Sequence, residues 1–158
     1  MLQRIDHVGI ACRSLEAAIE KYASVFGLAV VSQEVNEEQG VKEAMLALGG
    51  TPPRQPPAET PGGLAVPAAP SLSYVQLLEP LADDTPVGKF LARRGEGLHH
   101  VGYAVANVTE ALAVIGGAGA VRLIDERPRH GSMGASIAFL HPADLGGVLT
   151  ELVQPHGA

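Results

Sequence analysis

An internal repeat limits the possible folds of this chain more than any other feature of its sequence. The segment Ile5–Ala11 reads IDHVGIA, and His99–Val105 reads HHVGYAV. His7 aligns with His100, and a Val-Gly pair follows each of them. Because sequence repeats mark repeated structural units, we expect the two halves to form the same module.

Each first strand is followed by the signals of a helix and then by those of three further strands. Ser14 and Asn107 are predicted N-caps, and the helices are predicted to stop near Gly27 and Gly116–Gly117. The further predicted strands are Leu28–Val35, Val41–Leu48 and Leu72–Glu79 in the first half, and Val121–Ile124, Ala135–His141 and Gly147–Val153 in the second. The predicted fold class is α+β, with two tandem βαβββ modules forming curved, mixed, mostly antiparallel sheets around a central site.

The 158 residues are expected to form a single domain. Module 1 covers about residues 1–80 and module 2 about residues 98–155. The linker 81–97 is predicted to contain a short helix at Val87–Arg93. Residues 51–70 hold seven of the 12 prolines, so we interpret them as an irregular surface loop inserted between two strands, with a lid as the alternative.

The composition argues against several classes of protein. The net charge of -6 leaves no evident basic face for nucleic acid or for an anionic membrane. Cys12 is the sole cysteine, so no disulfide can form within the chain, which favours a cytoplasmic location. The N-terminus lacks the pattern of a signal peptide, and no apolar run is long enough to span a membrane.

The repeat also predicts a metal site. A single histidine in an apolar strand is usually a packing residue, but His7 and His100 occupy equivalent positions, and the last strands carry Gln76 and Glu151. The spacing from His7 to Gln76 exceeds that from His100 to Glu151 by about the length of the Pro-rich insertion. A carboxylate between apolar neighbours is costly to bury without a partner, and a divalent cation would supply one. Two imidazoles with oxygen ligands suit Co, Ni, Mn, Fe or Zn.

Glu43 is a candidate for proton transfer. Strand alternation places it on one face with Val41 and Met45, which are apolar. The same pattern also fits an exposed carboxylate on a strand, and the spacing does not distinguish the two readings.

Other polar residues near these strands are candidates for supporting the metal site or for contacting the substrate. His99 neighbours His100 but points to the other face of its strand, so we interpret it as a residue that supports or packs against the site. The glycine-rich turn Gly131–Gly134 can approach a ligand closely, although hairpin turns use the same residues. The candidate substrate contacts are Gln39, Ser132, Met133 and Gly134.

The paired modules and their ligand pattern resemble the vicinal oxygen chelate superfamily, which comprises glyoxalases, bleomycin resistance proteins and dioxygenases. Within it, the chain resembles the methylmalonyl-CoA epimerases. The matching segments are IDHVGIAC, VNEEQGVKEAML, VQLLEP, GEGLHHVGYAV, GSMG, IAFLHP and GVLTELV. They cover most of the chain outside the Pro-rich loop.

This resemblance implies an isomerase that interconverts (R)- and (S)-methylmalonyl-CoA in propionate metabolism. It assigns the metal, Co(II) by resemblance, to His7, Gln76, His100 and Glu151. The metal would chelate the substrate's thioester and carboxylate oxygens and so stabilise the enolate formed when the C2 proton leaves. Glu43 would act as acid or base on one face of the substrate, and Glu151, although a ligand, on the other. The resemblance also implies a homodimer.

The chain departs from the family at two positions near the expected substrate mouth. Ser136 and Ala143 stand where similar sequences carry basic residues, which leaves a related substrate such as ethylmalonyl-CoA open. A metal-dependent lyase or isomerase of the superfamily is also compatible with the ligand pattern, with an extradiol dioxygenase less favoured at this length. A small-molecule binding or resistance protein is less favoured too, because such members often lack the metal ligands that this chain retains.

Overall fold

The computed structural model describes residues 1–49 and 73–157, and in these ranges the chain forms eight strands and three α-helices. The strands are β1 (Leu2–Ala11), β2 (Val30–Asn36), β3 (Val41–Leu48), β4 (Ser73–Pro80), β5 (Gly97–Val105), β6 (Arg129–His130), β7 (Ser136–Leu140) and β8 (Thr150–Gln154). The helices are α1 (Leu15–Phe26), α2 (Pro86–Arg94) and α3 (Val108–Ala118). Both halves follow the predicted βαβββ order, with α2 between them. The predicted Pro-rich loop at 51–70 lies outside the described residues.

The strands form one curled sheet in the order β2-β3-β4-β1-β5-β8-β7-β6. The pairs β1–β4 and β5–β8 are parallel, and the other five pairs are antiparallel. The predicted mixed, mostly antiparallel architecture is therefore confirmed. The order is symmetric about the β1–β5 pair, so the first strand of each module lies at the centre and is flanked by the last strand of its own module.

The helix ends agree with their sequence signals. The side chain of Ser14 accepts a hydrogen bond from the Ala17 amide, and Asn107 caps α3 in the same way. Helix α1 ends at Gly27, whose φ of 66° is left-handed, as predicted. Helix α3 continues slightly beyond the predicted stop and ends at Gly119.

The predicted strand at Val121–Ile124 is wrong. In this segment Leu123 forms only an isolated bridge with Leu140, and the module's second strand is the two-residue β6. The side chain of Asp125 accepts a hydrogen bond from the Phe139 amide at 2.9 Å. The Phe139 amide is therefore bonded to a side chain, whereas a continuous strand would require it for a backbone hydrogen bond. Val121 and Leu123 instead pack on the apolar cluster beneath α3.

The helices bury separate apolar clusters. Helices α1 and α3 cover the face of the sheet opposite the predicted metal ligands, whereas α2 packs against Val41 and Leu78 on the same face as Glu43 and Gln76. Helix α1 packs Leu15 against Leu46 and Leu77, and α3 packs Leu112 among the buried residues of β7 and β8. None of the helices in the described ranges is long and apolar enough to cross a membrane.

Candidate metal centre and active site

Strand register brings the four predicted metal ligands onto four adjacent strands. In one row across the sheet, His7, Gly102 and Glu151 are direct partners on β1, β5 and β8. In the next row, Gln76, Gly9 and His100 are direct partners on β4, β1 and β5. Each row therefore contains one histidine, one last-strand residue and one glycine between them.

The two central glycines make room for the imidazoles. A Cβ atom at Gly9 would lie 2.2 Å from Cε1 of His100, and one at Gly102 would lie 2.5 Å from Cε1 of His7. Contacts this short are forbidden, so each ring occupies the space that a side chain on the opposite module would fill. The glycine of each repeat is therefore required by the histidine of the other repeat.

Three of the predicted ligands form a compact, buried cluster. The Nε2 atoms of His7 and His100 are 2.9 Å apart, and Oε2 of Glu151 lies 2.8 Å from the first and 3.5 Å from the second. One ligand atom from each residue lies within 4.8 Å of the others. Nε2 atoms and a carboxylate oxygen that converge in this way fit a divalent cation of the type that prefers nitrogen and oxygen ligands.

Each imidazole has a polar contact at its Nδ1 atom, which orients the ring with Nε2 toward the cluster. Nδ1 of His7 lies 3.2 Å from Oδ1 of Asp6, and the other oxygen of Asp6, Oδ2, forms a 2.7 Å ion pair with Arg4. Nδ1 of His100 lies 3.0 Å from Nδ1 of His99. When Nε2 binds a metal, the proton of a neutral imidazole stays on Nδ1, so Asp6 and His99 are the acceptors.

Asp6 and His99 occupy equivalent positions, each directly before the histidine that it orients. Sequence reasoning considered a supporting role for His99 but missed Asp6. The signal was present, because the residue before each repeated histidine is polar in both halves.

The electrostatics of the metal-free cluster favour an internal ion pair. Burial lowers the pKa of His7, but the carboxylates of Glu151 and Asp6 outweigh it and raise the pKa to about 9. Burial raises the pKa of Glu151, but His7 and His100 outweigh it and lower the pKa to about 2. The pKa of His100 falls, chiefly because its ring is buried. A proton on His7 thus supplies the positive charge that a bound cation would replace.

Gln76 lies between this cluster and Glu43. Its Nε2 donates to Oε2 of Glu43 at 2.7 Å and to Oγ of Ser132 at 2.8 Å. Its Oε1 is buried and has no hydrogen-bond partner among the described residues. Since both amide hydrogens are used, the side-chain orientation is fixed, and the carbonyl oxygen is available to a cation.

Glu43 is buried, with a relative exposure of 1%. The reading of this residue as an exposed strand carboxylate is therefore wrong. Burial raises its pKa above 4.5, and the negative charges of Glu34 and Glu151 add to the rise. Hydrogen bonds from Ser132 and Gln76 partly oppose it. A carboxyl group with a raised pKa beside a cation site is suited to proton transfer near neutral pH.

The glycine-rich turn closes over this carboxylate. Ser132 contacts Gln76, and the Met133 amide donates to Oε1 of Glu34 at 2.8 Å. Met133 has a left-handed φ of 55°, which a non-glycine residue adopts only when its surroundings hold it there. Sequence reasoning did not identify Glu34, which pairs with Glu43 on the neighbouring strand and accepts the hydrogen bond from the Met133 amide. Its position on a strand beside other polar residues gave no signal.

The candidate substrate contacts do not all line the same cavity. Ser132 and Met133 line a cavity of about 180 Å³ that also contains His7 and Glu151. Gly134 has a left-handed φ of 74° and completes the turn. Gln39 instead lines a separate cavity and donates to the carbonyl of His130 at 3.4 Å.

The two positions where similar sequences carry basic residues, Ser136 and Ala143, adjoin different cavities. Ser136 lies between Ala135 and Ile137, which line the cavity beside Ser132. Ala143 follows Pro142, which lines a larger cavity beside α2.

Comparison with known proteins gives a consistent set of relatives. Residues 4–152 match the family described as the Glyoxalase/Bleomycin resistance protein/Dioxygenase superfamily. A methylmalonyl-CoA epimerase variant from Streptomyces coelicolor, solved in complex with 2-nitronate-propionyl-CoA, is 45% identical with a TM-score of 0.85. That alignment covers 100% of this chain and 98% of the other.

Two curated relatives extend the comparison. The mitochondrial methylmalonyl-CoA epimerase of Bos taurus is 32% identical over 97% of this chain and 75% of its own length. The ethylmalonyl-CoA/methylmalonyl-CoA epimerase of Cereibacter sphaeroides is 30% identical over 98% of this chain and 99% of its own length.

Proposed function

On the premise that this chain belongs to the glyoxalase superfamily and, within it, to the methylmalonyl-CoA epimerases, we propose that it interconverts (R)- and (S)-methylmalonyl-CoA. The observation that carries the proposal is the position of Glu43. This buried carboxyl group accepts a hydrogen bond from Gln76, which lies in the same row across the sheet as His100 of the buried cluster. Base and cation site are thus held together, as proton abstraction beside two carbonyl groups requires.

Glu43 is the group that removes or returns the proton at C2 on one face of the substrate. The hydrogen bond from Gln76 fixes Oε2, while Oε1 has no partner among the described residues. One oxygen of the carboxylate is therefore oriented and the other is available for the proton. The raised pKa lets the group alternate between base and acid without a large free-energy cost.

The donors His7, His100, Glu151 and Oε1 of Gln76 would hold a divalent cation. When bound, the cation supplies positive charge that stabilises the oxyanion of the enolate form of the substrate. The burial of all four donors keeps water from screening that charge. We propose Co(II) as the metal, with Mn, Ni, Zn and Fe as the alternatives that the same donors accept.

Glu151 is the proposed acid or base for the opposite face. Its pKa of about 2 suits a metal ligand better than a proton donor, so this second role has weaker support than that of Glu43. Glu151→Asp would separate metal binding from proton transfer. Aspartate keeps the negative charge, but its shorter side chain moves the carboxylate back toward the strand. Loss of epimerisation with metal retained would support a role in proton transfer.

The acyl group is either methylmalonyl or ethylmalonyl. The Cereibacter sphaeroides relative carries both substrates in its name. Its similarity to this chain over nearly the full length supports testing both thioesters. A cytoplasmic homodimer that acts in propionate metabolism completes the proposal.

The direct test follows C2 proton exchange of methylmalonyl-CoA in heavy water with metal-loaded protein. We expect deuterium to enter C2 together with epimerisation, and Glu43→Gln to lower both rates by about 100-fold or more. Metal content in this variant should equal that of the wild type. Absence of exchange in folded, metal-loaded wild-type protein would refute the proposal.

A control variant identifies effects that are unrelated to the site. Glu38→Gln changes an exposed carboxylate in the segment between β2 and β3 and should leave exchange unchanged. If it lowered the rate as much as Glu43→Gln, the loss could not be assigned to the buried carboxyl group.

A further inference from the structure

The aromatic ring of Phe139 packs against the candidate metal centre without being one of its donors. Phe139 on β7 lies directly opposite Glu151 on β8, so both side chains project from the same face of the sheet. The ring is buried, and its centroid lies 5.5 Å from that of the His100 imidazole, with the two planes at 87°. This is one of the geometries that aromatic pairs favour. Phe139 therefore restricts the orientation of a predicted metal ligand.

A cation lies over the ring of Phe139. Cζ of Arg129 on β6 is 5.7 Å from the ring centroid. Arg129 is the direct partner of Ile137 on β7, and Ile137 is two residues from Phe139, so the arginine lies on the same face of the sheet as the ring. Positive charge over an aromatic face is attracted by the quadrupole of the ring. The guanidinium therefore helps to keep the ring in place.

One carboxylate binds both the backbone of Phe139 and the cation over its ring. Oδ2 of Asp125 accepts a hydrogen bond from the Phe139 amide at 2.9 Å, and Oδ1 lies 3.1 Å from Nε of Arg129. The carbonyl of Phe139 accepts in turn from the amides of Ile124 and Asp125, at 2.9 and 3.2 Å. We call Asp125 and Arg129 the Phe139 clamp, because together they engage its backbone and its ring.

The Phe139 clamp is a costly arrangement for stability alone. Nε of Arg129 is buried and lies at ion-pair distance from Asp125, but it makes no aligned hydrogen bond with any of the described residues. A buried donor without a hydrogen bond costs free energy. A regular strand at Val121–Ile124 would satisfy the Phe139 amide without burying part of a guanidinium. The arrangement is better explained by the ring that it holds.

We propose that Asp125 and Arg129 position His100 for metal binding by clamping Phe139 against its imidazole. This inference rests on the metal centre of the proposed function. The contact with His99 sets the tautomer of His100, whereas the ring of Phe139 limits rotation of the imidazole out of line with the other donors. Asp125 and Arg129 are positioning residues, since they act on the metal through Phe139.

The direction of the effect distinguishes positioning from simple electrostatics. Arg129 is a cation one aromatic ring away from His100, so its charge by itself repels a bound metal ion. If charge alone acted, removing it would raise metal affinity. The clamp predicts the opposite, because Phe139 is held less firmly when the cation is lost. A lower metal affinity in a variant without this charge therefore supports positioning.

The experiment measures metal affinity by competition with a chelator, without substrate. We expect Arg129→Met to lower the affinity roughly 3- to 10-fold, and Arg129→Lys, which retains a cation, to restore most of it. Arg127→Met removes the same charge from an exposed position in the same segment and should leave the affinity within about twofold. Unchanged or higher affinity in Arg129→Met would overturn the proposal. A raised KM with unchanged metal affinity would assign Arg129 to the substrate instead.

A double-variant cycle tests whether the arginine acts through the ring. Phe139→Leu keeps an apolar side chain but removes the ring, and it should lower metal affinity by about 10-fold or more. In this background Arg129→Met should cause no further loss, because the cation has no ring to hold. An equal loss in both backgrounds would refute the clamp. Circular dichroism checks folding, and if Phe139→Leu does not fold, the comparison of Arg129→Met with Arg129→Lys decides.

Nuclear magnetic resonance of the metal-free protein separates this proposal from the proposed function. Nuclear Overhauser contacts between the rings of Phe139 and His100 should be present in the wild type and in Arg129→Lys, and weaker in Arg129→Met. If the wild type binds no metal, the proposed cation site fails, while these contacts still test the clamp. Contacts of equal strength in all three proteins would contradict it.

Discussion

Gly102 lies directly opposite His7 across the β1–β5 pair, and the imidazole of His7 occupies the space where a Cβ atom of Gly102 would be. Gly9 bears the same relation to His100. Each module thus leaves a gap that the other module fills with a histidine of the candidate metal centre. The repeated His-Val-Gly pattern therefore encodes two reciprocal contacts in addition to two histidines.

Replacing one of these glycines should disrupt metal binding. In Gly102→Ala, the new methyl group would clash with His7 at 2.5 Å, so the ring must rotate away from Glu151. We expect metal affinity to fall by about 10-fold or more, with the far-ultraviolet circular dichroism spectrum unchanged. Elemental analysis after dialysis against a defined metal buffer measures this effect.

Gly117→Ala is the matched control. An added Cβ at Gly117 meets nothing within 4 Å, and alanine favours the helix in which this residue lies. This variant should retain full metal content and be slightly more stable than the wild type. Normal metal affinity in Gly102→Ala would show that His7 does not need this space.

The buried carboxyl group should cost stability in the metal-free protein. The folded-state pKa of Glu43 is raised, so the stability contributed by this group is fully present below about pH 4.5 and is lost as the pH rises through the folded-state pKa. Glu43→Gln removes this loss of stability at higher pH, because glutamine does not ionise. We expect its Tm at neutral pH to exceed that of the wild type by ~2–4 °C, measured by thermal denaturation without metal.

The difference should disappear on acidification, because Glu43 is then protonated in the wild type. Glu38→Gln, which alters an exposed carboxylate, should leave Tm unchanged at both pH values. A lower Tm for Glu43→Gln at neutral pH would mean that the ionised carboxylate stabilises the fold.

The raised pKa of Glu43 also predicts the acid limb of the pH–rate profile. Proton abstraction needs the ionised form, so kcat/KM should fall as the pH drops through a midpoint above the ordinary glutamate value of 4.5. Glu34→Gln should move this midpoint to lower pH, because the negative charge of Glu34 contributes to the rise. The profile measured by deuterium exchange at constant ionic strength tests both statements.

Glutamine at position 34 retains an oxygen that can accept from the Met133 amide, so the turn should be preserved. Glu16→Gln, on the exposed side of α1, is the control and should leave the midpoint unchanged. An unshifted midpoint in Glu34→Gln would exclude Glu43 as the titrating group.

Asp6 should act on the metal through His7. In Asp6→Asn the acceptor for Nδ1 of His7 loses its charge, so we expect metal affinity to fall by roughly 10- to 100-fold. Competition with a chelator of known affinity measures the change. Asp144→Asn, which alters the exposed ion pair with Arg122, should have no effect on affinity. Equal affinities in both variants would remove Asp6 from the support of the site.

Much of the candidate site was predictable because its pattern is local and occurs twice. Equivalent histidines, and last-strand residues at equivalent spacing, indicated His7, His100, Gln76 and Glu151 before any coordinates. The strand at Val121–Ile124 was predicted incorrectly because its apolar residues suit a strand and a packed loop equally. The bond from the Phe139 amide to Asp125 decides between them, and this contact joins residues far apart in sequence.

The sequence by itself determined the two βαβββ modules, their caps and the residue types of a metal site, since these depend on periodicity and on chemistry carried by each segment. Only the tertiary structure decided that β1 pairs with β5 and places Gly9 and Gly102 beneath the opposite imidazoles. It also decided that Glu43 is buried and bonded to Gln76. These relations depend on sheet register and helix packing, which arise when segments distant in the chain bury their apolar faces together.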